Sequence, residues 1–292
     1  MTPQSRPRIA LFGRLFPAAG PEELVEIAAR LGYGGVDIRC DAPLPSGAAG
    51  LPAETPPARL RDLKRRLDGQ GLVVSCLYTW TGAYLRRKDD AERQRQLDDL
   101  ARRIDLAQAL DCSLLQHGPG GDSRRASDDD FQTAAHWLRR AGELARARGV
   151  RLAMEGGENM CESAASTQRL FDLVGADLGE TIGVIYDPAN MLTRETDYGP
   201  AAVRQLFPRI FQVHLKDERR VERPPAGSRW PFVDVPLGDG DVDWPPVLRT
   251  LRDGGYAGWF ACEGLPELEA EARARGELAG ALRLTRDAGF GW

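Results

Sequence analysis

The sequence predicts an α/β protein with the fold of a (β/α)8 TIM barrel. Eight short, strand-like apolar segments alternate with eight segments of helical periodicity along the 292 residues. The apolar segments are nearly continuous in hydrophobic residues, as is typical of parallel strands buried on both faces. Eight repeats without a break in composition favour a closed barrel over an open doubly wound sheet. We therefore expect a single domain over residues 1–292, with a flexible tail at 1–7.

The first half of the chain supplies four strand–helix repeats. Pro21, followed by two glutamates, marks the start of the first helix, and Gly32 marks its end. The second and third helices repeat apolar residues every three or four positions, and the fourth follows three aspartates. The predicted strands are 9–13, 35–39, 72–77 and 113–117, and the predicted helices are 21–31, 60–67, 88–110 and 131–148.

The second half supplies four more repeats. Ser163 is a typical N-cap for the fifth helix, and Gly254 is placed to end the seventh. The segment 218–240 contains four prolines and is predicted to be a long loop. The predicted strands are 150–155, 182–187, 210–214 and 258–263, and the predicted helices are 163–174, 200–206, 243–253 and 267–288.

The composition indicates a cytoplasmic protein that binds neither membranes nor nucleic acids. A formal net charge of −4 lacks the basic field of a nucleic-acid binder. The sequence contains neither a long apolar stretch that could span a membrane nor a signal peptide. Five widely spaced cysteines, without a Cys-x-x-Cys pair, are typical of a reducing compartment.

Four consecutive strands of the second half end on a potential metal ligand. These residues are Glu155, Asp187, His214 and Glu263. A single acid at a strand end is usually a helix N-cap or a surface charge, but the carboxyl ends of barrel strands meet at one mouth. One imidazole with three carboxylates is a mainly oxygen site, which suits Mn²⁺ best, with Mg²⁺, Co²⁺ or Zn²⁺ as alternatives.

These four residues and several motifs resemble the sugar isomerase/epimerase family with a xylose isomerase-like TIM barrel. The resemblance spans nearly the whole chain. Its motifs are Gly-Tyr-Gly-Gly-Val-Asp at 32–37, Tyr-Asp-Pro-Ala-Asn at 186–190, His-Leu-Lys-Asp at 214–217, Gly-Asp-Gly-Asp-Val-Asp-Trp at 238–244 and Gly-Tyr-Ala-Gly at 255–258.

The resemblance implies a metal-dependent isomerase or epimerase of a sugar, keto-sugar or cyclitol. In this family a divalent metal chelates a carbonyl and a neighbouring hydroxyl, and removal of the acidified proton gives a cis-enediolate. Glu155 and Glu263 would then face opposite sides of the reacting carbon, one removing the proton and the other returning it.

Two alternatives share the scaffold. A lyase would use the same metal site to dehydrate an inosose- or dehydroshikimate-like keto-polyol. An AP endonuclease is more remote, because that branch needs several histidines, whereas this acidic chain has three in total.

Further residues are candidates for substrate binding. Asn190 stands where ketose epimerases have a histidine, and Arg220 matches the position of a substrate-binding arginine. Arg220 could equally be an exposed loop charge. Lys216 could direct its charge at a substrate oxygen or form an ion pair with an acid. Glu158 and Asn159 lie in a glycine-containing loop of the kind that contacts sugar hydroxyls.

His117 and Trp80 complete the predicted substrate site. His117 ends the fourth strand and could bind a hydroxyl or act as an acid or base, whereas His136 is expected to be structural. Trp80 could wall the pocket or serve packing. The expected partner is a small sugar or polyol, and the family resemblance implies a homodimer or homotetramer, for which Trp292 is a candidate interface anchor.

Overall fold

The chain forms a closed barrel of eight parallel strands in a computed structural model that describes residues 7–40, 50–79, 81–228, 230–264 and 269–291. The order around the barrel is β1-β10-β7-β6-β5-β4-β3-β2. Its strands are β1 (Ile9–Phe12), β2 (Gly35–Arg39), β3 (Val73–Tyr78), β4 (Leu114–Gln116), β5 (Arg151–Glu155), β6 (Ile182–Tyr186), β7 (Ile210–Leu215) and β10 (Trp259–Cys262). The predicted TIM barrel and its eight strands are therefore confirmed.

Helices surround the barrel and are bounded by the residues that the sequence marks. Gly32, with φ 95°, ends α1, and capping boxes at Ser127 and Ser163 start α4 and α5. The helices among the described residues are α1 (Pro21–Leu31), α2 (Pro57–Gln70), α3 (Asp90–Ala109), α4 (Asp128–Arg146), α5 (Ala164–Val174), α6 (Pro188–Thr193), α7 (Pro200–Leu206), α8 (Trp244–Asp253) and α9 (Ala270–Asp287).

Two short elements at the mouth of the barrel depart from the prediction. Helix α6 follows β6 directly, and the segment predicted as a loop contains an antiparallel hairpin of β8 (Asp217–Arg220) and β9 (Phe232–Val235). The hairpin was missed because its first strand is almost wholly charged and because prolines separate the two strands. Prolines are a loop signal in a sequence, yet they do not prevent pairing on either side of them.

Asp217 ties this hairpin to the segment before α8. Its carboxylate accepts hydrogen bonds from the backbone of Gly238 at 2.9 Å and of Val242 at 3.1 Å. A Cβ at Gly240 would lie 2.1 Å from Asp217 Oδ1, so the close approach requires glycine at this position. The Gly-Asp-Gly motif is thus explained by packing against Asp217.

Strand alternation decides which side chains enter the barrel. An apolar layer of Cys76, Leu114, Ala153, Ile185 and Phe211 fills its interior. A polar layer also lies within the barrel, where Gln212 Nε2 donates to both carboxylate oxygens of Asp37 at 2.9 and 3.2 Å. Residues two positions further along each strand therefore face the mouth, where the candidate site lies.

Other sequence expectations have mixed outcomes. No helix in the described ranges is both long and apolar enough for a membrane crossing. All five cysteines are free and buried. The single-domain boundary stays a prediction, and residues 1–6 of the predicted tail lie outside the described residues, as do Trp80 and Trp292.

Candidate metal centre at the barrel mouth

The four predicted ligands lie together at the carboxyl ends of β5, β6, β7 and β10. One ligand atom from each of Glu155, Asp187, His214 and Glu263 lies within 4.8 Å of all the others. All four side chains are buried, none being more than 7% exposed. We call these four residues the ligand cluster.

His214 directs Nδ1 at the three carboxylates. This atom lies 2.9 Å from Glu263 Oε2, 3.5 Å from Asp187 Oδ2 and 3.6 Å from Glu155 Oε1. Nδ1 makes no hydrogen bond with any described residue, and Asp187 Oδ2 faces the ammonium of Lys216 at 3.0 Å. Buried polar atoms are normally paired, so an imidazole nitrogen that converges on three carboxylates without a hydrogen bond fits a cation between them.

Asp187 has two roles, one for each oxygen. Its Oδ1 accepts a hydrogen bond of 2.8 Å from the backbone of Asn190 and so caps α6, while Oδ2 faces the ligand cluster. The N-cap alternative and the metal-ligand prediction are therefore compatible. The donor set of three carboxylates and one imidazole could bind a divalent metal ion.

Two cations balance the charge of the cluster on one side. Lys216 Nζ lies 3.0 Å from both Asp187 Oδ2 and Glu263 Oε2, and Arg14 Nη1 lies 3.0 Å from Glu263 Oε1. Burial alone would raise the pKa of Glu263, but Lys216, His214 and Arg14 hold it well below its ordinary value. Burial alone would lower the pKa of Lys216, but Asp187 and Glu263 raise it above its ordinary value. The predicted ion pair of Lys216 with an acid is thus observed.

Glu155 is held by neutral donors instead. It accepts hydrogen bonds from Gln116 Nε2 at 2.7 Å, Asn190 Nδ2 at 3.2 Å and the hydroxyl of Tyr78 at 3.3 Å. Burial, followed by the charge of Glu155, raises the pKa of Tyr78, which keeps this donor protonated. The two glutamates therefore occupy different electrostatic environments.

Three residues that contact the two glutamates were not predicted from the sequence: Tyr78, Gln116 and Arg14. Tyr78 and Gln116 each end a barrel strand, and period-2 alternation from the strand interior would have found them. Arg14 lies in the short 3-10 helix after β1, where neither periodicity nor a motif signals its role.

Glu158 and Asn159 line a polar cavity of about 370 Å³ together with Arg86, Asp122, Glu162 and Arg194. The charge of Glu155, together with burial, raises the pKa of Glu158 to about 8. Gly157 has φ 75° and a Cβ there would lie 2.4 Å from Asn190 Cβ, so this turn requires glycine. The predicted substrate loop is thus held close to the ligand cluster.

The structure argues against a substrate role for His117. Its ring is fully buried, and both nitrogens are occupied, Nδ1 by Thr81 Oγ1 at 2.9 Å and Nε2 by the hydroxyl of Tyr84 at 2.8 Å. Burial lowers the pKa of His117 to about 3, so the ring is neutral. Because neither nitrogen is available, we assign His117 a packing role.

Arg220 lies on the hairpin rather than in the ligand cluster. It donates to Glu195 at 2.7 Å and stacks on Phe232 with its guanidinium 4.7 Å from the ring centroid. Its side chain is 52% exposed. These contacts favour the alternative of a surface charge.

Comparisons with known proteins agree with the fold. The model of the xylose isomerase-like TIM barrel family matches residues 25–283. The chain is 25% identical to an inosose dehydratase of Klebsiella pneumoniae over 69% of this chain and 72% of that protein. It is 29% identical to a putative L-ribulose-5-phosphate 3-epimerase of Escherichia coli over 67% of this chain and 66% of that protein.

A solved structure, described as the IOLI protein with a binding zinc atom, superposes with a TM-score of 0.76. The sequences are 14% identical, and the match covers 97% of this chain and 99% of that one. At this identity the match shows the fold alone. The family match and the relatives together confirm that the chain is an enzyme.

Proposed function

Because the chain belongs to the xylose isomerase-like TIM barrel family, we propose that it is a divalent-metal-dependent isomerase or epimerase of a sugar, keto-sugar or cyclitol. The observation that carries this proposal is the buried ligand cluster, in which a histidine nitrogen converges on three carboxylates without a hydrogen bond to any described residue. Glu155, Asp187, His214 and Glu263 would hold the ion, with Mn²⁺ as the favoured candidate over Mg²⁺, Co²⁺ and Zn²⁺.

A bound divalent ion supplies positive charge that acidifies a C–H next to a carbonyl and stabilises the negative charge that develops. The chain supplies the groups that move the proton. Glu155 and Glu263 come from β5 and from the end of β10, so they approach the cluster from different parts of the barrel wall. We assign them to removing the proton and returning it.

The electrostatic difference between the two glutamates supports giving them different roles in moving the proton. Lys216 and Arg14 favour an ionised Glu263, whereas Glu155 has only neutral hydrogen-bond donors around it. A carboxyl group that is not paired with a lysine or an arginine is the better candidate for carrying the proton through a reaction. Glu158 and Asn190, next to it, are assigned to substrate hydroxyls.

A second candidate, a dehydratase, is favoured by one observation. Lys216 places a buried ammonium 3.0 Å from Asp187 and from Glu263. After a glutamate takes the proton next to the carbonyl, this ammonium could protonate the hydroxyl on the next carbon, which then leaves as water. An inosose dehydratase is also among the relatives.

The test incubates the protein with Mn²⁺ and a panel of ketoses and inososes in D₂O. Exchange of the C–H next to the carbonyl is followed by NMR, and loss of water is followed by enone absorbance. We expect exchange with the wild type and a loss of 100-fold or more in Glu155→Gln and Glu263→Gln, the scale of an acid–base contribution. Glu143→Gln, an exposed acid on α4, is the matched control.

Each outcome decides between the proposals. Epimerised or isomerised product without absorbance supports the first candidate, and an absorbing product supports the dehydratase. Full exchange in both glutamine variants would overturn the acid–base assignment. We further propose a cytoplasmic homodimer or homotetramer that does not bind nucleic acid, to be checked by light scattering and by incubation with abasic DNA.

A further inference from the structure

Arg39 is a cation that ends a barrel strand and has no counter-ion in the part of the chain that the structure describes. It ends β2, and the strand's alternation places it on the same face as Asp37, whose carboxylate is inside the barrel. Asp37 does not neutralise it, because that carboxylate is bound by Ser75 and Gln212 one layer below. Arg39 makes no ion pair among the described residues.

The guanidinium of Arg39 is held in place by an aromatic ring. Its Cζ lies 5.8 Å from the centroid of Tyr78, the residue paired with Arg39 in the barrel register. Its Nε is buried and has no hydrogen-bond partner in the described part of the chain. The residue as a whole is nevertheless partly exposed.

This cation faces the ligand cluster across a single ring. The hydroxyl of Tyr78 donates to Glu155 at 3.3 Å, so the Tyr78 ring separates Arg39 from the cluster. Arg14 extends the positive region, because it follows β1, the strand next to β2, and is 42% exposed.

We infer that Arg39 binds an anionic group, a carboxylate or a phosphate, at the end of the substrate remote from the carbonyl. The inference rests on the proposed function and restricts the substrate to acidic keto-sugars or keto-polyols. Its physical basis is that a half-buried guanidinium, whose Nε has no partner among the described residues, binds a planar or tetrahedral oxyanion through charge-assisted hydrogen bonds. Arg39 is thus a specificity-determining residue, separate from the acid–base pair.

The experiment compares three ketoses that differ at C6 alone. D-fructose is neutral there, D-fructuronate has a carboxylate and D-fructose 6-phosphate has a phosphate. Dissociation constants are measured by calorimetry with the Mn²⁺-loaded protein. We expect one of the two anions to bind at least tenfold more tightly than D-fructose, and which of them does so identifies the anion.

The Arg39→Gln variant is expected to bind the anion no more than twofold better than D-fructose while keeping its affinity for D-fructose. Arg39→Lys should recover part of the preference, which a purely structural role of Arg39 would not predict. Arg95→Gln, an exposed arginine on α3, controls for net charge. Because all variants contain the same ion, coordination of the anion by Mn²⁺ cancels in the comparison.

Three results would overturn the inference: no binding of any of the three ketoses, no preference for an anion in the wild type, or an undiminished preference in Arg39→Gln. None of them depends on turnover. The proposed function fails separately, when the loaded protein binds these ligands but exchanges no C–H next to their carbonyl.

Discussion

His117 shows at the scale of one residue how burial changes the chemistry of a histidine. Thr81 and Tyr84 occupy its two nitrogens, and burial lowers its pKa to about 3. A buried neutral imidazole stabilises the fold at pH values at which the ring is also neutral in the unfolded chain. At lower pH the unfolded chain binds a proton that the buried ring does not, and stability falls. Its pH dependence is therefore a measurable property of the folded protein.

We expect His117 to make the protein less stable as the pH falls. The folded state binds fewer protons than the unfolded chain between the unfolded pKa near 6.5 and the folded value of about 3. The contribution of His117 is thus present above pH 6.5 and is lost progressively below it. At pH 5 the loss should be about 2 kcal/mol relative to pH 7.

The measurement is the free energy of unfolding in urea at both pH values for the wild type and His117→Gln. The variant should be less stable at pH 7 but should lose less on acidification, since it lacks the titrating ring. Equal losses in the two proteins would contradict the pKa assignment. Because His214 is present in both, its own titration cancels.

A buried ionic contact links the hairpin to α9. Arg273 on α9 donates to Asp234 on β9 at 2.6 Å and to the backbone of Val235 at 2.8 Å, and it pairs with Glu277. These three charged side chains are at most 5% exposed. The buried ionic contact therefore joins the hairpin at the barrel mouth to the last helix.

Arg273→Met should destabilise the protein by about 3–5 kcal/mol, because it removes the buried cation that Asp234 and Glu277 contact. Arg275→Met on the same helix is the matched control, since Arg275 is exposed and should change stability by about 0.5 kcal/mol or less. Urea unfolding of both variants gives the comparison. A similar, small loss in both would show that the buried contact does not hold the hairpin.

Elements with strong local signals were predicted from the sequence, and those defined by distant contacts were not. Ser163 and Gly32 mark helix ends because capping is a local interaction, and apolar runs mark the strands. The hairpin was missed because Asp217 finds its backbone donors at Gly238 and Val242, more than twenty positions away. Such pairings depend on the folded chain and leave little pattern in the sequence.

The same distinction between local signals and distant contacts applies to the candidate site. The ligand cluster was predicted because four strands of one barrel must end at one mouth. Arg14 and Arg39 were missed because isolated arginines are common on surfaces, and their positions become informative once β1 and β2 are placed. The contacts of His117 could not be predicted, because its partners, Thr81 and Tyr84, come from the loop after β3.

For the molecule as a whole, the ligand cluster predicts that a divalent ion stabilises the fold. The cluster brings together residues from four strands, which the unfolded chain cannot do. Mn²⁺ at 100 times its dissociation constant should therefore add about 2.7 kcal/mol to the free energy of unfolding. Asp187→Asn should lose most of this gain, whereas Asp98→Asn, an exposed change on α3, should keep it.

Thermal unfolding of the protein with EDTA and with added Mn²⁺ measures this gain, and it requires no knowledge of the substrate. An unchanged melting temperature in the wild type would contradict metal binding at the ligand cluster. A gain that persists in Asp187→Asn would place the ion elsewhere.

The apolar layer inside the barrel also bears on the order in which ligands would load under the proposed function. Cys76, Leu114, Ala153, Ile185 and Phe211 form this layer below the ligand cluster. With the layer in place, an ion and a substrate would share the entrance at the barrel mouth, and the one that arrives first would be covered by the second. We therefore expect the ion to load before the substrate, and a chelator to remove the ion from the free protein but not from the occupied one.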